Sequence, residues 1–355
     1  MSTSVPSIAV DVMGSDLGPA EIIAGIKLAL REDKSAYEII VVGKESLITP
    51  MMVRANIIGD SRVKVYNASE VIGMEEKPIQ AIKSKRDSSM MRAIETVKFG
   101  SANAVLSCGN TGALMAGGTI KLRTIDGIER PALASVIPGK IKNFVMIDVG
   151  ASPDPKPESL VDNAILGANY ARAVLGVKSP RVGLLSNGTE DGKGNMLVQT
   201  AHRLFKAQNG VINYGGLLEG FSLFDGEFDV VVCDGFTGNV VLKSLESSVR
   251  MLKDILKEEI YKTLLRKIGI YLAKGAFMDI KKRIPVDKFS GAPLLGLNGL
   301  VVKAHGSSGQ KQIAGAIHIT LRCLRQRIND RIKADVESLK DAIEEAKNRQ
   351  IELRG

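Results

Sequence analysis

The chain has 355 residues, 45% hydrophobic and 25% charged, so it is long enough to bury a large core in one or two α/β domains. It contains 36 Gly but only 12 Pro, which favours a folded protein with many tight loops and argues against a disordered one. Aromatic residues make up 4% and Trp is absent, so platforms for stacking nucleobases are scarce, and we predict no nucleic-acid partner despite a net charge of +9.

The cysteines and the N-terminal residues indicate the cellular location of the protein and whether it binds a metal. Cys108, Cys233 and Cys323 are far apart and form no C-x-x-C pair, a spacing that fits neither a zinc site nor a disulfide framework. The chain has no Lys or Arg before Lys27, and no apolar run is long enough to span a bilayer. We therefore expect a cytoplasmic protein with reduced cysteines and without a metal or a cofactor.

A single pattern recurs along the chain: a short apolar run, a loop of Gly, Asn, Asp or Ser, and a longer stretch with helical spacing. Several runs are apolar throughout, as expected for strands of a parallel sheet that helices cover on both faces. The clearest predicted strands, in chain order, are Ser7–Val12, Glu38–Val42, Ala104–Cys108, Phe144–Val149, Arg181–Ser186, Asp229–Cys233 and Leu300–Ala304. The pattern predicts a doubly wound, mostly parallel α/β sheet.

Residues 244–285 interrupt this pattern with helical spacing and no strand. We predict a helical hairpin here, protruding from a single α/β domain that spans residues 1–355. A stripe of apolar residues from Leu245 to Ile260 favours packing against the same hairpin of a second copy. Between 264 and 274, cations alternate with bulky apolar residues, as in helices that lie on anionic bilayers. The proposed membrane contacts are Leu264, Leu265 and Ile268, and the two uses of the hairpin remain open.

Loops rich in Gly and polar residues follow the predicted strands. In parallel α/β sheets, ligands bind at the carboxyl ends of strands, where loops lead into helix N-termini with unpaired N–H groups. Each loop alone can be a helix cap and a tight turn. We expect all of them at one edge of the sheet, however, and such a group predicts an anion-binding site. These loops span residues 11–16, 107–112, 148–150, 187–195, 234–239 and 305–308.

Two of these loops carry the strongest candidates for anion binding. In the second loop, glycines allow close approach of a ligand while polar side chains offer hydrogen bonds; its residues are Gly109, Asn110, Thr111 and Gly112. The fourth loop resembles a Walker A loop, but it is one residue short and has Gly194 where Ser or Thr would hold magnesium. This excludes a nucleoside triphosphatase. Lys193 remains as a cation for a phosphate or an oxyanion, or as an exposed lysine without a role.

Other enzyme classes lack their defining motifs here. No G-x-G-x-x-G follows a strand, which disfavours an NAD enzyme, and no G-x-S-x-G supports a serine hydrolase. His202 and His318 lie in helical stretches and are interpreted as structural. His305 ends a strand near Ser307, so it either holds the loop or contacts substrate.

Several segments match one known family in order along nearly the whole chain. They are IAVDVMGSD at 8–16, GNTGALMA at 109–116, RPALA at 130–134, DVG with KPE at 148–158, KGN at 193–195, VVVCDGFTGNVVLK at 230–243 and GAPLLGLNG with KAHGSS at 291–308. On these segments the sequence resembles the bacterial phosphate acyltransferases of the PlsX type. The resemblance implies a homodimeric, Rossmann-like enzyme that transfers a fatty acyl group from acyl carrier protein to inorganic phosphate. The acyl phosphate product would feed phospholipid synthesis, which suits peripheral association with the inner face of the membrane.

For this reaction we assign candidate roles to the loop residues. Lys193 and Asn239 are the expected catalytic residues, which orient phosphate and stabilise the oxyanion. Gly109–Gly112 would form part of the substrate-binding floor, and further candidates are Asn195, Asp234, His305 and Ser307. Two alternatives remain: a phosphotransacetylase that uses acyl-coenzyme A, and a non-catalytic regulator that binds nucleic acid or membrane through its net charge.

Overall fold

The computed structural model describes residues 5–208, 212–283 and 289–339. The strands are β1 Ser7–Asp11, β2 Glu38–Gly43, β3 Val63–Asn67, β4 Ala104–Ser107, β5 Ala132–Ile137, β6 Phe144–Ile147, β7 Val182–Ser186, β8 Tyr214–Glu219, β9 Val230–Val232, β10 Ala292–Leu295 and β11 Leu300–Lys303. The helices are α1 Pro19–Glu32, α2 Glu45–Ala55, α3 Pro78–Ser84, α4 Ser89–Lys98, α5 Thr111–Leu122, α6 Pro157–Leu175, α7 Met196–Ala207, α8 Gly235–Tyr261, α9 Leu264–Leu272, α10 Lys274–Arg283 and α11 Gln310–Arg325. Residues 328–339 are also helical.

All of these strands form one sheet in the order β3-β2-β1-β4-β11-β10-β5-β6-β9-β7-β8. Along β1, Ile8 and Val10 pack into the core on one face, whereas Ala9 packs into the core on the other. Both faces of the sheet are therefore covered, which explains why the strands are apolar throughout. The predicted doubly wound, mostly parallel α/β fold is confirmed, and all of the predicted strands are present.

The expectation that all the loops lie at one edge of a single parallel sheet is wrong. Strands β10 and β5 pair antiparallel with each other, β10 pairs antiparallel with β11, and β5 pairs antiparallel with β6. These reversals divide the parallel strands into two groups that run in opposite directions along the sheet. Loops 11–16, 107–112 and 305–308 follow the group of β1, β4 and β11, and the other three loops follow β6, β7 and β9.

The sequence pattern missed four strands, and each departs from the apolar run of a buried parallel strand. Strands β3 and β8 are the two edges of the sheet. The first is largely exposed, and the second contains Gly215 and Gly216. Strands β5 and β10 lie in antiparallel pairs, with small residues in β5 and Pro293 in β10. Their composition matches loops as well as strands.

The segment predicted as a hairpin is helical as far as residue 283, and its last two residues, 284 and 285, lie outside the described residues. Helix α8 begins at Gly235, so residues 235–239, which we predicted as a loop, form its first turns. Along α8 and α9, large apolar side chains are exposed, among them Leu252 and Leu265. Within the described ranges, no helix combines the length and hydropathy needed to cross a bilayer.

Candidate functional site

Three loops at the ends of β1, β4 and β11 pack against one another. A Cβ atom on Gly14 would lie 2.6 Å from Cα of Gly109, so the first two loops are in direct backbone contact. The N–H of Asp16 donates to the carbonyl of Gly306 at 2.9 Å, and Oγ of Ser15 donates to the same oxygen at 3.1 Å. The three loops therefore form one continuous surface.

Asp11 lies beneath this surface and joins two of its loops. Its carboxylate accepts hydrogen bonds from Oγ of Ser107 at 2.7 Å and from the N–H of Met13 at 3.1 Å. Burial raises the pKa of Asp11, while hydrogen bonds from Ser89 and Ser107 act in the opposite direction. Because the side chain is enclosed, we interpret Asp11 as a brace for the loops.

Asn110 is the N-cap of α5. Its Oδ1 accepts from the N–H of Ala113 at 3.0 Å, and its Nδ2 donates to the carbonyls of Met74 and Glu76, both at 2.9 Å. The amide is thus fully used in capping α5 and in holding residues 74–76. Within the described part of the chain, the backbone N–H groups of Thr111 and Gly112 have no hydrogen-bond acceptor. This helix terminus therefore offers backbone donors, while the Asn110 side chain is already engaged.

Lys303, at the end of β11, is a further candidate residue that sequence reasoning did not single out. Its Nζ donates to the carbonyl of Cys108 at 3.0 Å and also to that of Ala304. Burial lowers the pKa of Lys303, and the charge of Lys243 acts in the same direction. A lysine directly after the three apolar residues of a buried strand was the available signal. Burial also raises the pKa of the Cys108 thiol to about 12, so this cysteine is a core residue and not a nucleophile at neutral pH.

In the second group of loops, the loop after β6 folds around the side chain of Asp148. This fully buried carboxylate accepts four backbone N–H groups at 2.6–3.0 Å, which belong to Leu133, Gly150, Ala151 and Ser152. Burial raises its pKa, and the four donors act in the opposite direction. The carboxylate therefore shapes the loop that follows it.

The N-terminus of α8 packs closely against this loop at glycine residues. A Cβ atom on Gly238 would lie 1.9 Å from the carbonyl oxygen of Asp148, so only Gly allows this approach. Asp234 caps the helix, since its carboxylate accepts from the N–H of Thr237 at 2.8 Å and from its hydroxyl at 2.7 Å. Asn239 follows in the second turn, where its side chain is exposed.

The charge of Lys243 on α8 acts on residues of the loop after β11. Lys243 lies one turn after Asn239 on the same face of α8. Burial lowers the pKa of His305, and the positive charge of Lys243 lowers it further. Nδ1 of His305 accepts from Oγ of Ser307 at 2.8 Å and from its N–H at 3.2 Å. The positive charge on α8 and the loop after β11 are therefore coupled electrostatically.

The loop that carries Lys193 follows β7, the strand paired with β9. Lys193 is exposed, and Asn195 caps α7 by accepting from the N–H of Val198 at 2.9 Å. Among residues 5–208, 212–283 and 289–339, no hydrogen bond or ion pair joins the Lys193 side chain to Asn239 or His305. In the described part of the chain, the ammonium group of Lys193 also has no hydrogen bond or ion pair of its own.

Comparison with known proteins identifies the family. A family model described as fatty acid synthesis protein matches residues 7–331. The phosphate acyltransferase of Geobacter sulfurreducens is 41% identical over 331 residues, which cover 93% of this chain and 94% of that protein. The phosphate acyltransferase of Pelotomaculum thermopropionicum is 42% identical over 332 residues, covering 94% and 95%.

Solved structures show the same fold at low sequence identity. A phosphotransacetylase from Streptococcus pyogenes superposes with a TM-score of 0.61 at 16% identity, covering 90% of this chain and 94% of that one. A branched-chain phosphotransacylase from Enterococcus faecalis gives a TM-score of 0.57 at 16% identity, covering 90% and 98%. The resemblance read from the sequence motifs is confirmed: this chain belongs to the fatty acid synthesis protein family that includes the phosphate acyltransferases.

Proposed function

We propose that this protein transfers a fatty acyl group from acyl carrier protein to inorganic phosphate. The observation that carries the proposal is an identity of 41–42% to phosphate acyltransferases over 93–94% of the chain. The positive charges of Lys243, which is paired with Glu246, and of Lys303 both act on His305, and this favours an anion at the loop after β11.

In the proposed reaction, a phosphate oxygen attacks the carbonyl carbon of the acyl thioester, so a C–O bond forms and the carbonyl oxygen becomes an oxyanion. The intermediate collapses, the C–S bond breaks, and the leaving thiolate takes up a proton. Lys193 and Asn239 orient phosphate and stabilise the oxyanion. No covalent enzyme intermediate is needed, which suits the buried, protonated thiols of Cys108 and Cys233.

The remaining candidates act around this centre in our proposal. The segment Gly109–Gly112 forms the floor through its backbone donors, with Asn110 holding the helix terminus. Asp234 and Asn195 hold the N-termini of α8 and α7 as caps. His305 and Ser307 are joined to each other at 2.8 Å, and we assign them to substrate binding.

We also propose that the exposed helices serve a homodimer and a membrane surface. Leu252 on α8 is 62% exposed and belongs to the apolar stripe, which supports contact with a second copy. Leu264, Leu265 and Ile268 on α9 are exposed beside Arg266, a composition that supports peripheral contact with the anionic inner face of the membrane. The excess of basic residues favours acidic acyl carrier protein as the acyl donor.

The proposed activity is tested by incubating the protein with acyl-[acyl carrier protein] and inorganic phosphate and trapping acyl phosphate with hydroxylamine. We expect hydroxamate only when enzyme and phosphate are both present. Replacing the donor with acyl-coenzyme A distinguishes the phosphotransacetylase alternative, because that enzyme would form hydroxamate at least as fast from the coenzyme. Absence of hydroxamate from both donors would refute acyl transfer to phosphate.

A further inference from the structure

The loop that carries Lys193 has backbone conformations that local preference alone does not fix. It contains Gly192 with φ +95° and Gly194 with φ +90°, one on each side of Lys193. Glycine lowers the cost of these conformations but also leaves the unfolded loop many alternatives. Two hydrogen bonds inside the loop restrict it: the N–H of Lys193 donates to the carbonyl of Glu190 at 3.1 Å, and the N–H of Gly194 donates to Oδ1 of Asn187 at 2.8 Å. Contacts from helix α7 add to these two bonds.

Helix α7 supplies the first of these contacts. Nε2 of Gln199 donates to the carbonyl of Gly192 at 2.7 Å and to that of Gly194 at 3.0 Å. These two carbonyls flank Lys193 in the chain. One side-chain amide therefore uses both of its N–H groups to hold the backbone on either side of the lysine.

His202, one turn further along α7, supplies the second contact. Its Nε2 lies 2.9 Å from Oδ1 of Asp191, and its Nδ1 lies 2.6 Å from the hydroxyl of Tyr214. Lys206 places Nζ 2.8 Å from both oxygens of Asp191 and, with His202, lowers the pKa of that carboxyl. Ionised Asp191 only accepts, so we assign the imidazole proton to Nε2, with Nδ1 accepting from the tyrosine hydroxyl.

These contacts form one unit. Gln199, His202 and Lys206 are spaced three and four residues apart and share a face of α7. The hydroxyl that holds the imidazole belongs to Tyr214 of β8, whose ring stacks on Phe205 with centroids 4.7 Å apart. The loop is thereby connected through His202 to the sheet.

We propose that Gln199 and His202 are positioning residues for Lys193: they hold its backbone so that the ammonium group meets phosphate in the reaction. The catalytic consequence of this inference rests on the proposed function. The restraint of the loop itself is independent of that function, and the two parts can be measured separately.

The restraint is tested with Gln199→Glu, which keeps the shape but loses the donor, and His202→Phe, which keeps the ring but loses both nitrogens. Arg203→Ala is the matched control, because Arg203 lies on the same helix and bonds only to Thr200 within the described structure. Trypsin cleavage after Lys193, followed by mass spectrometry of the new terminus, reports opening of the loop. We expect cleavage about 10-fold faster in both variants and unchanged in the control.

The catalytic consequence is tested by measuring kcat/KM for phosphate in the wild-type and Lys193→Ala backgrounds. We expect each variant to lose about 10-fold to 100-fold in the wild-type background and less than about 2-fold when Lys193 is absent. Equal losses in both backgrounds, or unchanged cleavage after Lys193, would overturn the inference. If cleavage accelerates but the wild-type protein makes no acyl phosphate, the loop restraint stands and the proposed function fails.

Discussion

Asn239 on α8 and Gly150 after β6 are in direct contact. Nδ2 of Asn239 lies 2.8 Å from the point that a Cβ atom on Gly150 would occupy, and Gly150 has φ +141°. A side chain at residue 150 would therefore collide with the Asn239 amide where it lies. This pair connects the loop shaped by Asp148 to the proposed catalytic amide.

We expect Gly150→Ala to displace the Asn239 side chain and to lower turnover about 10-fold or more, since small displacements of reacting groups are costly. The strained backbone should also cost about 1–3 kcal/mol of stability. Gly176→Ala is the matched control: Gly176 has φ +74°, and no described atom lies within 4 Å of its Cβ position. The control should lower Tm but leave turnover unchanged. Comparable turnover in the two variants would contradict the role of the contact.

Lys193→Ala and Asn239→Ala should each lower kcat by about 100-fold to 1000-fold, the usual cost of removing one oxyanion donor. Both side chains are exposed, so thermal unfolding should be unchanged. Lys178→Ala removes the same charge from another exposed site and should retain full activity. Near-wild-type turnover in either of the first two variants would remove that residue from the proposed site.

Lys243→Met should raise the pKa of His305. Removing a positive charge favours the protonated imidazole, and Glu246, whose ion pair with Lys243 at 2.8 Å would be lost, acts in the same direction. A proton NMR titration of the imidazole C–H signals measures this shift, with His305→Gln to assign the signal. An unchanged pKa would show that the charge of Lys243 does not act on the loop after β11.

Leu252→Glu should dissociate the proposed homodimer. The side chain is 62% exposed in the single chain, so a charge there should cost little stability but should be unfavourable in an apolar interface. Sedimentation velocity over a range of concentrations measures the change. A mass equal to the wild-type dimer would place the interface elsewhere.

Leu265→Glu should weaken flotation with anionic vesicles, because it places a negative charge on the apolar side of α9. Phe221→Glu is the control for adding a charge at an exposed apolar residue, since Phe221 is 91% exposed in a different part of the chain. The control should float as the wild type does. Equal flotation of the Leu265 variant and the wild type would count against membrane contact at α9.

Residue patterns predicted much of the fold but misplaced the loops relative to one another. Runs such as Ile8–Val10 predicted buried strands because both faces of the sheet are covered. The pattern does not encode strand direction, however, and the antiparallel pairings of β10 and β5 separate the loops into two groups. The mixed composition of those two strands concealed the reversal.

Sequence reasoning also identified only part of the candidate site, because local patterns do not show which residues meet in the fold. Asn110 and Asp234 were chosen as polar residues in Gly-rich loops, and the structure places both as helix caps. Lys303 was overlooked because a lysine in an apolar strand has no local pattern that indicates its partners. His202 was correctly interpreted as structural, but its contact with Asp191 depends on how α7 packs beside the loop.

The sequence by itself determined the α/β class, the main strands, the family and the polar loops, because periodicity and motif order are properties of neighbouring residues. Only the tertiary structure decided which loops meet, that the charge of Lys243 acts on His305, and that Gln199 donates to the carbonyls on either side of Lys193. These relationships depend on strand order and helix packing, which bring together residues that no local spacing connects.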